Sequence, residues 1–331
     1  MTFLTEPQRR TVLDKVLRLV DTKFMGADVD VNQLRDGHES RVVNANTPED
    51  FEQALDGLLR DLKTSHTGLF HEARPRSAGR IAMAATLTKA DTATDGHRWV
   101  FQDVHPGGVA AAVGIESGDV LLAVDDQELV PPAAIPFRLG QSYTIAVRKP
   151  DGSTTRSTLA IPGSREKKRP IVVPDQVVSA RRLDPDIGYI RVSMFPGVLG
   201  MDVARDISHA VSELACGHLV IDLRGNTGGG IGCLRLMSHL CPDRRGVGYS
   251  IGRKLARNGY DKNRLPQFDR IPQTKLQVLP LIVKFGLAGR SVAVFTETLG
   301  AQRHHGRAVM LVNEHSASAA EMVAAFASEY E

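Results

Sequence analysis

The sequence has few cysteines and few aromatic residues. Its three cysteines among 331 residues include no Cys-x-x-Cys pair, which disfavours a disulfide scaffold and a cysteine-based metal site. Aromatic residues make up only 5% of the chain, and its clearest basic cluster, Arg165–Arg169, contains Glu166 and no aromatic side chain on which a base would stack. This cluster is therefore interpreted as a solvated linker, and nucleic acid is not expected as a partner.

The sequence also has no apolar run long enough to span a bilayer. Its first residues, Met1–Pro7, lack the charged start and apolar centre of a signal peptide, so we expect a cytoplasmic protein, or a periplasmic one if a signal peptide was removed. With 42% hydrophobic and 24% charged residues and a net charge of +3, the composition is that of an ordinary globular chain. Its length allows two or three domains.

A serine lies where a predicted strand meets a predicted helix. The apolar segment Ala308–Val312 predicts the strand, Ala319–Tyr330 predicts the helix, and Ser318 lies between them. A sharp turn of this kind exposes a nucleophilic oxygen, and the free N–H groups of the helix favour negative charge beside it. Ser318-x-x-Glu321 is also a capping box, so the serine alternatively serves only to cap the helix.

A second predicted strand, Leu219–Leu223, runs into the glycine-rich turn 225–230. Glycines after a buried strand let backbone N–H groups converge on one point, as an oxyanion hole or a phosphate cradle requires. No Gly-Lys-Ser/Thr follows, and the spacing is not that of a dinucleotide fingerprint. The pattern therefore favours an oxyanion hole and, together with Ser318, a serine hydrolase.

Three segments carry a family resemblance. Gly188–Phe195 reads Gly-Tyr-Ile-Arg-Val-Ser-Met-Phe, Asp222–Gly229 reads Asp-Leu-Arg-Gly-Asn-Thr-Gly-Gly, and Ser316–Glu321 reads Ser-Ala-Ser-Ala-Ala-Glu. They resemble, respectively, the first strand of the catalytic domain, the glycine-rich signature and the nucleophile segment of the S41 peptidases. That family includes the carboxyl-terminal processing proteases and the tricorn core protease.

The resemblance implies a role for each residue of the turn. Ser318 is the implied nucleophile, and the amides of Ala319 and of Gly228 or Gly229 are the implied oxyanion donors. The implied substrates are polypeptides, and neither a metal nor an organic cofactor is implied. The alternative is a catalytically inactive, peptide-binding relative.

A base is needed to activate the serine hydroxyl. A predicted helix from Thr47 to about Lys63 leads to Ser65 and His66, a pair that resembles the base histidine and helper serine of the tricorn-type enzymes. The alternative is that His66 is an ordinary surface or capping residue. Processing proteases use instead a lysine that follows the nucleophile helix. We expect such a downstream group to lie beyond Glu331, so the catalytic domain is predicted to be truncated, and the choice between His66 and a later lysine stays open.

The segment 73–163 predicts a separate all-β module. Val104–Ala110 and Gly114–Val124 resemble the core of a PDZ domain, a fold that binds peptide C-termini by strand addition. By this resemblance the residues at the carboxylate-binding loop are Gly79, Arg80 and Ile81.

The predicted architecture has three parts. Residues 1–72 form a helical segment carrying the Ser-His pair, residues 73–163 an inserted PDZ domain, and residues 164–331 an α/β S41 core related to the crotonase fold. Alternating strands and helices in the core predict a largely parallel sheet, with one strand expected at Leu279–Phe285. The segment Pro242–Gln277 is expected to lie over the active site or at a homo-oligomer contact. The predicted function is an S41 serine endopeptidase whose PDZ domain recognises substrate C-termini.

Overall fold

The structure, a computed structural model, describes residues 3–24, 29–64, 67, 82–163, 176–287 and 291–329. The chain divides into two compact units, one of Met1–Arg74 with Ile251–Asp261 and one of Pro75–Ser250 with Lys262–Glu331. Within the described ranges no helix combines the length and the hydropathy needed to cross a bilayer.

The α-helices of the described residues are α1 (Glu6–Lys23), α2 (Val31–Val43), α3 (Pro48–Arg60), α4 (Val109–Ala112), α5 (Met201–Leu214), α6 (Cys233–Leu240), α7 (Arg253–Asn258), α8 (Val278–Leu287) and α9 (Ala319–Ser328). The strands are β1 (Ala85–Thr92), β2 (Gly96–Val104), β3 (Val120–Val124), β4 (Gln127–Glu128), β5 (Ser142–Arg148), β6 (Thr154–Ala160), β7 (Val178–Asp184), β8 (Ile187–Val192), β9 (His218–Asp222), β10 (Gly246–Ser250), β11 (Gln267–Phe268), β12 (Val292–Phe295) and β13 (Arg307–Leu311).

The first unit is helical. Helix α3 begins as its sequence predicts, because the Thr47 hydroxyl accepts a hydrogen bond from the amide of Asp50 at 3.1 Å and Pro48 occupies the first turn. Helices α1, α2 and α3 enclose a small apolar core that includes Leu13, Leu17, Val42, Leu55 and Leu58.

The second unit begins with an antiparallel sheet in the order β1-β2-β3-β5-β6, with β4 paired to β3. Two glycines make its turns. Gly114 ends α4 at φ +80° and Gly118 precedes β3 at φ +97°, which are backbone conformations that side-chain-bearing residues rarely adopt. The sheet buries its own apolar cluster, including Leu87, Phe101, Leu121, Ile145 and Leu159.

A four-stranded sheet in the order β13-β9-β8-β7 forms the centre of the second unit. Strands β8, β9 and β13 are parallel, while β7 is an antiparallel edge. Helix α5 is amphipathic and buries Val203, Ile207 and Val211 in the core that this sheet shares with α6 and α9. Because the three parallel strands end at one edge, the loops that follow Val192, Asp222 and Leu311 converge there.

The predicted strand at Leu279–Phe285 is wrong, since this segment lies in helix α8. A short continuous apolar run does not distinguish a buried strand from a helix, because it shows neither the alternation of a strand nor the three-to-four-residue spacing of a helix. In the helix, Leu281 and Phe285 pack against the core, whereas Leu279, Ile282 and Val283 are exposed. Strands β10, β12 and β11 form a separate three-stranded sheet that was not predicted from the sequence.

Candidate active site

Ser318 lies at the turn between β13 and α9 and has an unusual backbone. Its φ of 55° and ψ of −116° are strained for a non-glycine residue, at a cost on the order of 1–3 kcal/mol. Ser318 and Glu321 are in the capping-box arrangement, in which a carboxylate oxygen of Glu321 accepts the amide hydrogen of Ser318 at 2.5 Å. An ordinary helix cap takes extended backbone angles, so capping accounts for how α9 begins but not for the strain.

Hydrogen bonds from the preceding residues fix the Ser318 turn to β9 and the loop after it. The Ser316 hydroxyl donates to the carbonyl of Leu223 at 2.8 Å and accepts from the amide of Asn313 at 3.0 Å. The amide of Ala317 donates to the carbonyl of Asn226 at 2.9 Å. The two residues that precede Ser318 thus fix the position of its strained backbone.

Asn226, which lies within the glycine loop and is fully buried, bonds the loop to the end of β8. Its side-chain amide donates to the carbonyl of Val192 at 2.9 Å, and its side-chain oxygen accepts from the amide of Gly228 at 2.8 Å. Phe195 pairs with the same loop, donating to the carbonyl of Gly228 at 2.9 Å and accepting from the amide of Gly230 at 2.7 Å. None of these hydrogen bonds uses the amide N–H group of Gly229.

Gly228 lies directly against the serine turn. Its φ is +87°, and a methyl group at this position would lie 2.7 Å from Cβ of Ser318 and 2.8 Å from the amide nitrogen of Ala319. Only a glycine fits between the loop and the turn without moving one of them.

Two backbone amides near Ser318 are available as donors. Within the described ranges, neither the amide of Ala319 nor that of Gly229 donates to a protein acceptor, whereas the amide of Gly228 is already bonded to Asn226. Of the two glycines predicted as alternatives, Gly229 therefore has the unengaged N–H group. Free amides at a helix start and a glycine turn are the elements of an oxyanion hole.

A buried charge cluster lies beneath the glycine loop. Asp222 is inaccessible to solvent and accepts hydrogen bonds from the hydroxyl of Tyr189 at 2.5 Å and from Arg224 at 2.8 and 3.0 Å. Burial acts to raise the pKa of Asp222, but the hydrogen bonds from Arg224 and Tyr189 outweigh it and hold that pKa below its usual value. The ionised carboxylate thus fixes Arg224, the residue that directly precedes the glycine loop.

His105 lies near the same cluster and is almost fully buried, with Nε2 making no hydrogen bond to any described residue. Burial, assisted by the positive charge of Arg191, lowers the pKa of His105 to about 4. At neutral pH it is therefore an uncharged side chain, and the ionic contacts of the cluster are made by Asp222, Arg191 and Arg224.

The sequence model of Peptidase family S41 matches residues 186–331, which contain the strand edge, the glycine loop and Ser318. Residues 186–331 therefore match the S41 peptidase family. S41 peptidases are serine-type hydrolases, which agrees with a strained serine beside two free amides.

Relatives of the chain support the S41 assignment. It is 25% identical over 244 residues to a protein of Streptomyces coelicolor named as a tricorn protease homolog, covering 67% of this chain and 20% of that protein. It is 26% identical over 222 residues to the carboxyl-terminal-processing protease of Picosynechococcus sp. PCC 7002, covering 63% of this chain and 48% of that enzyme. The chain thus spans about half or less of the length of these relatives.

A solved structure agrees with the fold. An S41 protease from Bacteroides fragilis superposes with a TM-score of 0.50 at 14% identity, over 96% of this chain and 75% of that one. At this identity the likeness concerns the fold alone.

Residues 186–331 bring together four of the predicted site residues, Ser318, Ala319, Gly228 and Gly229. The predicted base pair, Ser65 and His66, lies outside the described residues, as do Gly79, Arg80 and Ile81 of the predicted carboxylate loop. Their roles stay predictions.

Two supporting asparagines, Asn226 and Asn313, were not predicted from the sequence. Asn313 directly follows the predicted strand Ala308–Val312, and Asn226 is the third residue after the predicted strand Leu219–Leu223. Asparagine side chains at such turn positions commonly form hydrogen bonds with nearby backbone groups. Their partners are distant in sequence, however, and the pattern alone does not identify them.

Proposed function

We propose that this protein is a serine endopeptidase that cleaves polypeptides through Ser318. The observation that carries the proposal is the strained backbone of Ser318, packed against Gly228 and adjacent to the unengaged amide of Ala319. Strain at a half-buried serine that capping does not require is typical of a nucleophile held in an attacking position.

In this mechanism, Oγ of Ser318 attacks the carbonyl carbon of the scissile peptide while a base removes the hydroxyl proton. The amides of Ala319 and Gly229 donate hydrogen bonds to the oxyanion that forms. The base then returns the proton to the leaving amine, the C–N bond breaks, and an acyl-enzyme ester remains on Ser318. A water molecule, deprotonated by the same base, then attacks the ester carbonyl carbon. The bond from this carbon to Oγ breaks, the base returns the proton to Oγ of Ser318, and the acid product leaves.

The proposal is tested by incubating the chain with casein and measuring new amino groups, before and after treatment with a fluorophosphonate. We expect hydrolysis that stops in parallel with covalent labelling, because the reagent phosphonylates an activated serine. Hydrolysis that continues undiminished in fully labelled protein would exclude a serine nucleophile. Peptide binding with neither labelling nor hydrolysis would indicate the inactive relative.

His66 is proposed as the base, with Ser65 holding its ring, on the strength of their sequence resemblance to the tricorn-type enzymes. Replacement of His66 by alanine is then expected to lower kcat/KM by on the order of 10² or more. In the unaltered chain, kcat/KM is expected to rise with pH through a titration near the ordinary histidine pKa of about 6.5, because only the neutral imidazole accepts the proton. Both results are measured with a fluorogenic peptide.

The matched control is His209→Ala, which removes an exposed histidine on α5. His209→Ala should leave the rate and the pH profile unchanged. Full activity in His66→Ala would contradict the assignment and transfer the role of base to a lysine.

We further propose that residues 73–163 form a PDZ domain that recognises substrate C-termini. The antiparallel sheet with its short helix α4 and the left-handed glycines at 114 and 118 support this reading. Peptide addition to a sheet edge, with the carboxylate held on backbone amides, is the recognition mode of such domains.

Peptides with a free C-terminus are accordingly expected to bind about tenfold or more tightly than their amidated forms, since a charge-assisted hydrogen bond is worth about 1.5–3 kcal/mol. The full chain carrying Ser318→Ala is titrated with a fluorescent peptide in both forms, and Arg80→Ala tests whether this side chain adds charge at the loop. Equal affinity for acid and amide would contradict the proposal.

A further inference from the structure

Asn313, the second residue after β13, joins three parts of the second unit. Its side-chain oxygen accepts the amide hydrogen of Gly225, at the start of the glycine loop, at 2.9 Å, and that of His315 at 3.1 Å. Its side-chain nitrogen donates to the carboxylate of Asp103 at 2.8 Å and to the side-chain oxygen of Gln102 at 3.1 Å. Both donors of this amide and both acceptor positions are therefore in use.

Asp103 belongs to strand β2 of the antiparallel sheet and is 1% exposed. Besides Asn313, it accepts a hydrogen bond from the hydroxyl of Thr86 at 3.1 Å and lies 3.4 Å from the guanidinium of Arg224. Both hydrogen bonds reach Oδ2, while Oδ1 faces Arg224 and has no hydrogen-bond partner among the described residues. Breaking either bond would leave more of this buried charge unpaired, so the position of Asp103 is strongly fixed.

Strand β1 touches the glycine loop at the same place. Gly225 has φ +72°, and a methyl group there would lie 2.8 Å from the methyl carbon of Thr86. The start of the loop is thus held between Thr86 on one side and the side chain of Asn313 on the other.

We propose that Asn313, fixed by Asp103, is a positioning residue that sets the place of the oxyanion amides relative to Ser318. This inference rests on the proposed peptidase function. Among the described residues, Asn313 makes no hydrogen bond to Ser318. It holds the start of the loop that carries Gly229 and the turn that carries Ser318, so that both sides of the oxyanion hole depend on one side chain. A displacement of about 1 Å at such a site is enough to lower a rate on the order of 10²-fold.

The chemistry of the pair requires an asparagine at 313 opposite a carboxylate at 103. An aspartate at 313 still accepts from Gly225 but has no hydrogen for Asp103, so two carboxylates would face each other at hydrogen-bond distance. An asparagine at 103 restores a donor between them. Exchanging the two residues therefore keeps the number of charges and reverses the direction of this hydrogen bond, while the negative charge moves from 103, beside Arg224, to 313.

The test compares Asn313→Asp, Asp103→Asn and the double exchange in the full chain. We expect Asn313→Asp to reduce the rate of Ser318 labelling by fluorophosphonate about tenfold or more and to lower kcat with KM changed less than about twofold. Asp103→Asn alone is expected to have a smaller effect, because its side-chain oxygen still accepts from Asn313. The double exchange should recover most of the rate lost in Asn313→Asp.

Asp119→Asn serves as the matched control. Asp119 is fully buried in the same antiparallel sheet and pairs with Lys149 at 2.8 Å, but it makes no contact with the glycine loop. This variant should lower Tm without changing the labelling rate of the folded protein. The control thereby separates a loss of sheet stability, which lowers Tm, from a loss of positioning, which lowers the labelling rate.

A wild-type labelling rate in Asn313→Asp, or a double exchange that stays as slow as Asn313→Asp, would overturn the inference. An unlabelled wild-type chain would instead contradict the proposed function, and positioning is then judged by hydrogen exchange of amides 225–230. Exchange that rises in Asn313→Asp and falls again in the double exchange supports the inference, and unchanged exchange overturns it.

Discussion

Ser318→Ala is expected to abolish fluorophosphonate labelling and to lower casein hydrolysis by on the order of 10⁴-fold or more. In the proposed mechanism, this hydroxyl forms the covalent bond to the substrate. Binding and the oxyanion amides remain in the variant, so a small residual rate is expected. Stability should fall by only about 0.5–2 kcal/mol, because the variant loses the hydroxyl of the capping box but keeps the bond from the amide of residue 318 to Glu321.

The matched control is Ser328→Ala, an exposed serine near the end of the same helix. It should label and hydrolyse as the unaltered chain does. If Ser318→Ala retains the wild-type rate while remaining folded, Ser318 is not the nucleophile.

Gly228→Ala is the second change with a large expected effect. The added methyl group would lie 2.7 Å from the carbonyl oxygen of Ala317 and 2.7 Å from Cβ of Ser318, at a φ of +87°. Most of the atoms it meets are backbone, so the clash is relieved only by separating the glycine loop from the serine turn. We expect labelling of Ser318 to slow by on the order of 10² or more, because one oxyanion donor leaves its place. A loss of about 1–3 kcal/mol of stability should accompany it.

Gly248→Ala provides the comparison, since a methyl group there meets no atom within 4 Å and the glycine has no left-handed backbone. Labelling kinetics and thermal unfolding are measured on both variants. A Gly228→Ala protein that labels at the wild-type rate would show that the loop does not contribute to the oxyanion hole.

The parallel strand β9 and helix α3 were predictable because their signals are local. Leu219–Leu223 is a short apolar run closed by glycines, and Phe51, Leu55 and Leu58 recur at helical spacing behind a threonine cap. The turn at Ser318 was predictable for the same reason, since strand, serine and helix follow each other within a few residues.

Other features depend on contacts between distant residues and left no local pattern. The apolar run in α8 fits a strand as well as a helix, and packing of Phe285 on Phe268 belongs to the tertiary fold. Likewise, the bond between Asn313 and Asp103 joins residues 210 positions apart. The glycine motif predicted the loop proposed here to carry an oxyanion donor, but preferring Gly229 to Gly228 required knowing that Asn226 occupies the amide of Gly228.

The central claim is that Ser318 is the nucleophile of a serine peptidase. Its most direct test is to digest the fluorophosphonate-treated chain and locate the adduct by mass spectrometry, using denatured protein to identify nonspecific labelling. The account predicts one adduct, on Ser318, that forms only in the folded protein and in proportion to the loss of casein hydrolysis. An adduct on a different serine, or casein hydrolysis by protein that carries none, would contradict it.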